Sequence, residues 1–412
     1  MNSKNLDYKV TPLTTQGYKK NIVVPTSKSH ANRLLILAAL SPEPVEIEEL
    51  PESTDVLNML KAFQKLNIKV TSFQNKTRIH GPFPLCEKPS REPVVLHTGD
   101  GGTTNRFLMA LLARGKNIYH IQAASGMQAR PMEEIETSLR ALGVRISKGS
   151  PTSNYWYEVQ GPPSILSGNI SVDCSKSTQF ISGLALAFAD TTLHFKPVGM
   201  ETSQSYFEMT KILIEKFQHK HIQWQVPVDF SSLSYPLALA LLNGEVTVSN
   251  CKERDNFQAD SVFLEILKNL GAKVHFTARG LEVVGVKEHA GIDLDCGGFP
   301  DLVPTLAFVC AVAKGRSLLR NLEVLHHKES DRVQEILKVL TLFKVHYSYN
   351  SVKEELEIVG SDKKVSVVEY LPPADHRIIM IAYLFMRANS GGTVGNAQHV
   401  AKSFPRFFEC LS

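Results

Sequence analysis

The chain has 412 residues, 43% of them hydrophobic, and a formal net charge of +4 at pH 7. This length allows two domains with large cores, and so small a charge with no basic tail does not indicate a nucleic-acid-binding protein. The N-terminal stretch lacks the apolar core of a secretory signal, and no stretch approaches the ~18 apolar residues of a membrane helix. Six dispersed cysteines without a CxxC pair favour free thiols in a reducing compartment, so we expect a cytoplasmic protein.

One pattern recurs six times along the chain: a short polar cluster runs directly into an apolar helix of about three turns. In chain order the copies are TSKSHANRLLILAAL from 26, GDGGTTNRFLMALLA from 99, DCSKSTQFISGLALAF from 173, VDFSSLSYPLALALL from 228, GGFPDLVPTLAFVCAVAKG from 297 and PADHRIIMIAYLFM from 373. Because these helices are apolar on nearly all sides, we expect them to be buried.

A second, amphipathic helix is predicted in the latter half of a copy. In the first copy Val56, Leu60 and Phe63 are spaced four and three residues apart, which puts them on one helix face. The helices of this kind are predicted to end in the left-handed conformation, before a strand, at Asn67, Gly143 and Gly271. Each copy therefore reads as helix, strand, helix and then a strand or strand pair.

Six such units predict an α/β fold of two lobes with three units each. We place the crossover near Gln225 to Val228, which gives a first lobe of residues 21–227. The second lobe then comprises residues 228–412 together with residues 1–20, which fit no copy and could add a strand.

The polar clusters indicate a site for anions. If the buried helices point inward, their N-termini converge between the lobes, and helix N-termini attract negative charge. Cations lie in or near the clusters, at Lys28, Arg33, Arg106, Arg130, Lys328, Arg332, Arg377 and Lys402. For any single cluster, ordinary helix capping and scattered surface charges would explain the polar residues as well as an anion site does.

The individual motifs are weak when they are taken alone. GDGGTTNR is neither a Walker nor a dinucleotide pattern, and ADHR is more often a structural histidine with an ion pair. KESDR puts Lys328 and Arg332 four residues apart, as in a surface charge pair. His326 and His327 precede this motif, but no further ligands follow at the spacing of a metal site.

Together, however, the clusters resemble the enolpyruvyl transferase family, and most closely its 5-enolpyruvylshikimate-3-phosphate synthases. The resemblance runs from PTSKSHANR to AKSFPRFF. It implies a two-lobed α/β fold of six βαβαββ units, three per lobe, with buried helices whose N-termini face the interlobe cleft. The implied reaction transfers the enolpyruvyl group of phosphoenolpyruvate to the 5-hydroxyl of shikimate 3-phosphate and releases phosphate, in the shikimate pathway to chorismate and aromatic amino acids. No cofactor or metal is implied, and we expect a monomer.

The resemblance also implies a role for each matching residue. For shikimate 3-phosphate the implied contacts are Lys28, Ser29, Arg33, Ser177, Thr178, Gln179, Ser203, Asp301 and Lys328. For phosphoenolpyruvate they are Lys28, Gly102, Arg130, Gln179, Arg332, Arg377 and Lys402. The reaction moves protons at the 5-hydroxyl and at the enol carbon of phosphoenolpyruvate. Asp301 would act in proton transfer at the hydroxyl and Glu329 in proton transfer at the carbon, with Lys28 assisting.

Four positions depart from the family pattern: Asp100 for Asn, Thr178 for Ser, Val324 for Asn and Lys176 for an apolar residue. Three other functions were considered. A UDP-N-acetylglucosamine enolpyruvyl transferase carries a reactive cysteine where this chain has Ser125. A silent phosphometabolite-binding protein is disfavoured by the intact Asp301, Glu329 and Lys28, and an RNA-processing cyclase by the small net charge.

Overall fold

The computed structural model describes residues 6–14, 17–219, 221–361 and 364–412. The chain divides into two compact units. We call Thr26–Pro227 the middle unit, and Met1–Pro25 with Val228–Ser412 the terminal unit. Each has its own hydrophobic core. Over the described ranges, no helix combines the length and apolarity needed to cross a membrane.

The division falls five residues later than the predicted boundary between residues 20 and 21. Strand Lys19–Ile22 pairs in parallel with Glu245–Val248, and the Val24 amide donates a 3.2 Å hydrogen bond to Asn250 Oδ1. Residues 21–25 therefore belong to the terminal unit, because their backbone is bonded there.

The strands and helices alternate along both units. The strands are β1 Tyr8–Val10, β2 Lys19–Ile22, β3 Val45–Glu48, β4 Lys69–Phe73, β5 Lys76–His80, β6 Val94–Gly99, β7 Ile118–Ala123, β8 Arg145–Lys148, β9 Tyr157–Gln160, β10 Ser167–Asp173, β11 Thr192–Val198, β12 Gln223–Gln225, β13 Glu245–Val248, β14 Lys273–Thr277, β15 Gly280–Val284, β16 Asp293–Asp295, β17 Arg316–Arg320, β18 His346–Asn350, β19 Glu355–Val359, β20 Val368–Tyr370 and β21 Gly392–Val394. The α-helices are α1 Lys28–Leu40, α2 Thr54–Lys65, α3 Gly102–Leu112, α4 Ser125–Gln128, α5 Glu133–Ala141, α6 Gln179–Ala187, α7 Gln204–Gln218, α8 Phe230–Leu241, α9 Phe263–Asn269, α10 Val303–Val312, α11 Arg332–Leu342, α12 His376–Ala388 and α13 Phe407–Leu411. Short 3₁₀ helices span Ala259–Val262, Pro300–Leu302, Glu323–His327 and Ala397–Lys402.

Four sheets share one design, in which the first two strands are parallel and the other two pairings are antiparallel. In the middle unit these are β12-β3-β5-β4 and β6-β7-β9-β8, and in the terminal unit they are β2-β13-β15-β14 and β16-β17-β19-β18. In two of these sheets a buried helix connects the parallel pair, α3 between β6 and β7 and α10 between β16 and β17. In the other two sheets, β12 and β2 come from the far end of their unit to pair with β3 and β13. The same local pattern in the sequence thus produces the same sheet.

The third and sixth copies are shorter than the predicted repeat. After β10, α6, β11 and α7 the third copy has one final strand, β12, which pairs with β3 of the first copy. In the sixth copy, β20 and β21 pair in parallel and β1 from the N-terminal segment adds the antiparallel strand. Each unit therefore completes a sheet with a strand from its other end.

The first helix of each copy is buried along its length, as its composition predicts. Every residue of α1 from His30 onward is buried, as is α12 from His376 to Arg387. The predicted helix exits are also confirmed, because Asn67, Gly143 and Gly271 adopt φ values of 59°, 84° and 93°. This packing fixes the helix N-termini, where the polar clusters lie.

Candidate active site

The cation at the start of α1 is neutralised by a buried carboxylate. Ser27 caps the helix by accepting a 3.3 Å hydrogen bond from the His30 amide. Lys28 Nζ lies 3.0 Å from Asp55 Oδ2, and the side chain of Asp55 is 1% exposed. Asp55 therefore offsets the repulsion between Lys28 and the positive end of the helix.

Arg33 connects α1 to α7. Its Nε donates to Thr210 Oγ1 at 2.8 Å and its Nη2 to the Tyr206 carbonyl at 2.9 Å. Its Nη1 donates to the Ser29 carbonyl at 2.8 Å. Burial lowers the pKa of Arg33 to about 10, so the guanidinium remains charged at neutral pH.

Arg106 organises the start of α6. Its Nη1 donates to Ser177 Oγ at 3.2 Å and to Gln179 Oε1 at 2.8 Å, and its Nη2 donates to the Pro131 carbonyl at 2.7 Å. Burial, and next the charge of Arg130, lower the pKa of Arg106 well below its usual value. The positive charge of Arg130 thus acts on Arg106, and Glu134 opposes its effect.

The glycines before α3 leave room for charged side chains. A Cβ on Gly102 would lie 2.7 Å from Arg130 Cζ, and a Cβ on Gly101 would lie 2.6 Å from Asp55 Cγ. Neither position tolerates a side chain without moving its neighbour. The glycine stretch thus brings the partner of Lys28 and the Arg130 guanidinium against the same turn.

The remaining predicted contacts of the middle unit lie at helix starts. Ser29 is half-buried in the first turn of α1, and Thr178 is buried directly before α6. Ser203 precedes α7 with φ +58°, a left-handed conformation that is uncommon for serine. Its buried hydroxyl forms no hydrogen bond within the described part of the chain. A buried polar group of this kind suits a ligand.

In the terminal unit, three cations hold Asp301. The residue lies in the 3₁₀ turn before α10, and its Oδ2 accepts from Arg377 Nη2 at 2.9 Å. Its Oδ1 lies 3.1 Å from Arg332 Nη1 and 3.4 Å from Lys328 Nζ. The carboxylate is therefore fixed through both oxygens.

Arg332 is the centre of this cluster. It is 2% exposed, and its Nε and Nη2 donate to the two oxygens of Asp375 at 2.8 and 3.2 Å. Although burial lowers the pKa of Arg332, Asp375, Glu329 and Asp301 raise it above its usual value. Asp375 also caps α12 by accepting from the Arg377 amide at 3.0 Å.

Glu329 is held in its ionised form. Its Oε2 lies 2.8 Å from His376 Nδ1, and its Oε1 lies 3.2 Å from Lys402 Nζ. Burial raises the pKa of Glu329, but Lys402, His376 and Arg332 together hold it well below its usual value. Asp301 and Glu329 thus provide two carboxylates within one network of cations.

A metal ion does not fit this network well. Candidate ligand atoms of Glu329, Asp375 and His376 lie within 4.8 Å of one another. However, Arg332 already binds both oxygens of Asp375, and Lys402 contacts Glu329. A divalent ion would have to displace these cations or be repelled by them.

The predicted residues fall into two groups, one in each unit. The middle unit holds Lys28, Ser29, Arg33, Gly102, Arg130, Ser177, Thr178, Gln179 and Ser203, and the terminal unit holds Asp301, Lys328, Glu329, Arg332, Arg377 and Lys402. The sequence-based prediction omitted four partners of these residues, namely Asp55, Asp260, Asp375 and His376. It named Arg106 only as a cation near the clusters and gave it no substrate contact. The DHR motif contained a signal for Asp375 and His376, and the second cluster, GDGGTTNR, one for Arg106. None marked Asp55 or Asp260.

Asp260 is a buried acid beside the Asp301 cluster. Ser231 donates a short hydrogen bond to its Oδ2. Burial, and next the charge of Asp301, raise its pKa to about 7, while Arg377 opposes the shift. Its buried surroundings therefore favour the neutral form of this acid.

The chain is similar to known proteins over nearly its whole length. The family model described as EPSP synthase (3-phosphoshikimate 1-carboxyvinyltransferase) matches residues 14–411. A protein of Thermococcus kodakarensis named 3-phosphoshikimate 1-carboxyvinyltransferase is 33% identical over 407 residues, which cover 94% of this chain and 95% of the relative. A protein of the same name from Syntrophobacter fumaroxidans is 31% identical, and the match covers 95% of this chain and 96% of the relative.

Solved structures show the same fold. An EPSP synthase from Acinetobacter baumannii superposes with a TM-score of 0.77 at 21% identity, covering 99% of this chain and 97% of that chain. The enolpyruvyl transferase NikO from Streptomyces tendae superposes with a TM-score of 0.71 at 14% identity. The match covers 99% of this chain and 96% of that chain. The match of the family model and the identity to the relatives lead to one conclusion: the chain belongs to the EPSP synthase family.

Proposed function

We propose that this enzyme transfers the enolpyruvyl group of phosphoenolpyruvate to the 5-hydroxyl of shikimate 3-phosphate and releases phosphate. Family membership supports this reaction. The observation that carries it at the level of the site is the Asp301 carboxylate, held through both oxygens by Arg377 and Arg332. A fixed carboxylate among cations suits a general base that acts on an anionic substrate.

The proposed chemistry uses both carboxylates. Asp301 removes the proton of the 5-hydroxyl as the oxygen attacks C2 of phosphoenolpyruvate, while C3 receives a proton from the Lys28 ammonium. This addition gives a tetrahedral intermediate. Loss of a proton from C3 and of phosphate from C2 restores the double bond. Because Lys402, His376 and Arg332 keep Glu329 ionised, it can accept this second proton, so we assign the carbon side to it.

The cations are proposed to bind the charged groups of the two substrates. Arg130, Arg332, Arg377 and Lys402 would hold phosphoenolpyruvate, and Arg33 with the serines would hold shikimate 3-phosphate. Guanidinium groups suit carboxylate and phosphate because they donate two parallel hydrogen bonds. The buried hydroxyl of Ser203, without a hydrogen bond among the described residues, supports the assignment of a phosphate to that helix start.

The test is an assay of phosphate release with both substrates present and with each omitted. We expect release only with the pair, together with a product whose mass equals that of shikimate 3-phosphate plus the enolpyruvyl group. Phosphate released from phosphoenolpyruvate alone, or only with a UDP-sugar acceptor, would refute the proposal.

The Gly102→Ala variant tests the assignment of Arg130. Since the added methyl would lie 2.7 Å from Arg130 Cζ, the guanidinium must move. We expect the KM for phosphoenolpyruvate to rise about tenfold, with little change for shikimate 3-phosphate, because displaced binding groups lose geometry. Steady-state kinetics with each substrate varied in turn measures this.

Gly126→Ala is the matched control, because a Cβ there meets no atom within 4 Å. It should leave both KM values unchanged. An equal rise for both substrates in Gly102→Ala would show that Arg130 does not bind phosphoenolpyruvate selectively.

We further propose that the enzyme acts in the cytoplasm as a monomer. All six cysteines are free thiols, which suits a reducing compartment. Light scattering coupled to gel filtration tests the oligomeric state, and a mass of twice the chain's 45.7 kDa would contradict it.

A further inference from the structure

The two proposed active-site residues Lys328 and Glu329 lie on a short connection closed by a side-chain pair. The 3₁₀ helix Glu323–His327 precedes them and α11, capped by Asp331, follows. His326 Nδ1 lies 2.9 Å from Asp331 Oδ2, so the two ends of segment 326–331 are joined. We call this contact the clasp. The proposal below rests on the function proposed above.

The clasp is anchored to a sheet. His326 Nε2 lies 3.2 Å from both Glu354 Oε2 and Tyr349 Oη, which come from the β18–β19 hairpin. The Tyr349 hydroxyl also donates to Glu354 at 2.5 Å, and the Leu322 amide donates to the Glu354 carbonyl at 3.3 Å. The position of the segment is therefore tied to the hairpin through His326.

The charge of His326 determines whether it can hydrogen-bond to Asp331 and Glu354 at the same time. A protonated imidazole donates from both ring nitrogens, one to each carboxylate, whereas a neutral ring donates from only one. Although partial burial lowers the pKa of His326, the hydrogen bonds and charges of Asp331 and then Glu354 raise it above its usual value. Glu323 and His327 are the other titratable groups on its own 3₁₀ helix, and Lys328, Glu329 and Asp331 follow on the segment. Tyr349 and Glu354 face it from the hairpin.

We propose that His326 is a positioning residue for the reaction: its imidazolium clasps the segment that carries Lys328 and Glu329 and fixes both side chains against their partners. Lys328 Nζ then lies near Asp301, and Glu329 lies between His376 and Lys402. The hydrogen bonds of His326 go to Asp331, Tyr349 and Glu354, so it acts on these site residues through the segment that carries them.

The direction of the pH dependence follows from the raised pKa. The clasp is complete below the ordinary histidine pKa and is lost as the pH rises through the raised value in the folded protein. Wild-type turnover should therefore contain a decline on the alkaline side that belongs to His326. A merely structural histidine would affect activity equally at every pH.

A histidine NMR titration tests the clasp without substrate. We expect the His326 resonance to titrate above the ordinary value of about 6.5. The Glu354→Gln variant removes one carboxylate but keeps its shape, so it should lower this pKa. A His326 pKa at or below 6.5, or no change in Glu354→Gln, would overturn the clasp.

Kinetics of two His326 variants test the positioning role. At about pH 6 we expect His326→Gln to lower kcat about 10- to 100-fold, with a smaller change in KM, because displaced catalytic groups lose alignment. As the pH rises above the pKa measured for His326, the wild type should approach the variant, because the imidazole then becomes neutral. His326→Arg keeps a charge at every pH and should remove the alkaline decline.

His346→Gln is the control, because it removes an exposed histidine from β18 of the same hairpin. It should behave as wild type. A constant ratio between wild type and His326→Gln across pH, or His326→Arg behaving as His326→Gln, would refute the positioning role. A wild-type chain that releases no phosphate would refute the proposed function instead, and the titration would still decide the clasp.

Discussion

Replacement of Asp301 by Asn is expected to lower kcat by about 10²- to 10⁴-fold, since this is the usual contribution of a general base. The amide keeps the shape of the carboxylate but cannot accept the proton of the 5-hydroxyl. The fold should persist because Arg332 keeps its two hydrogen bonds to Asp375, which does not depend on Asp301. Initial rates of phosphate release at saturating substrates measure the effect, and calorimetry of shikimate 3-phosphate binding checks that the site remains.

Asp293→Asn is the matched control. Asp293 also pairs with an arginine, Arg320, at 2.7 Å, but it lies on β16 with 58% of its side chain exposed. Its loss should leave kcat unchanged. If Asp301→Asn kept most of the wild-type rate, the base would have to be another group, and the buried acid Asp260 would be the next candidate.

Local pattern was sufficient to predict the buried helices and the helix exits, but not the length of every copy, because the third and sixth copies are shorter than the predicted repeat. The apolar helices, and the exits of the amphipathic helices at Asn67, Gly143 and Gly271, depend on neighbouring residues, which the sequence displays directly. The pairing of β12 with β3 and of β1 with β21 could not be predicted in this way. These short strands join residues far apart in the chain, and three residues carry too little periodicity to specify a partner.

The same distinction applies to the site. The motifs indicated where cations gather, but not which carboxylate or carbonyl each cation meets. Lys28 was predicted as a substrate contact, and its partner Asp55 lies in α2 without a motif of its own. Arg33 was predicted to bind shikimate 3-phosphate, and in the structure each of its guanidinium nitrogens also donates to the protein. Such partners are set by packing between helices, which a single sequence does not encode locally.

Breaking the ion pair between Arg332 and Asp375 should have the largest effect on the free energy of unfolding. Both side chains are almost completely buried, at 2% and 0% exposure. Arg332→Met would leave the Asp375 carboxylate without its two-point partner, and removal of one member of a buried pair typically costs about 3–5 kcal/mol. We expect the free energy of unfolding of the terminal unit to fall by this amount in urea denaturation. Activity should also be lost, because Arg332 contacts Asp301.

A double variant separates two contributions to the free energy of unfolding: the destabilisation by an isolated buried charge and the stabilisation by the ion pair itself. Arg332→Met with Asp375→Leu removes both charges and should recover part of the lost stability, though not activity, because a buried apolar pair is often as stable as an ion pair. Arg316→Met is the surface control. Arg316 lies 3.8 Å from Glu357 with 76% of its side chain exposed, and such pairs contribute about 0–1 kcal/mol. A loss in Arg332→Met no larger than in Arg316→Met would mean that Asp375 is stabilised by its other donors, Ser330 and the Arg377 amide, rather than by the arginine.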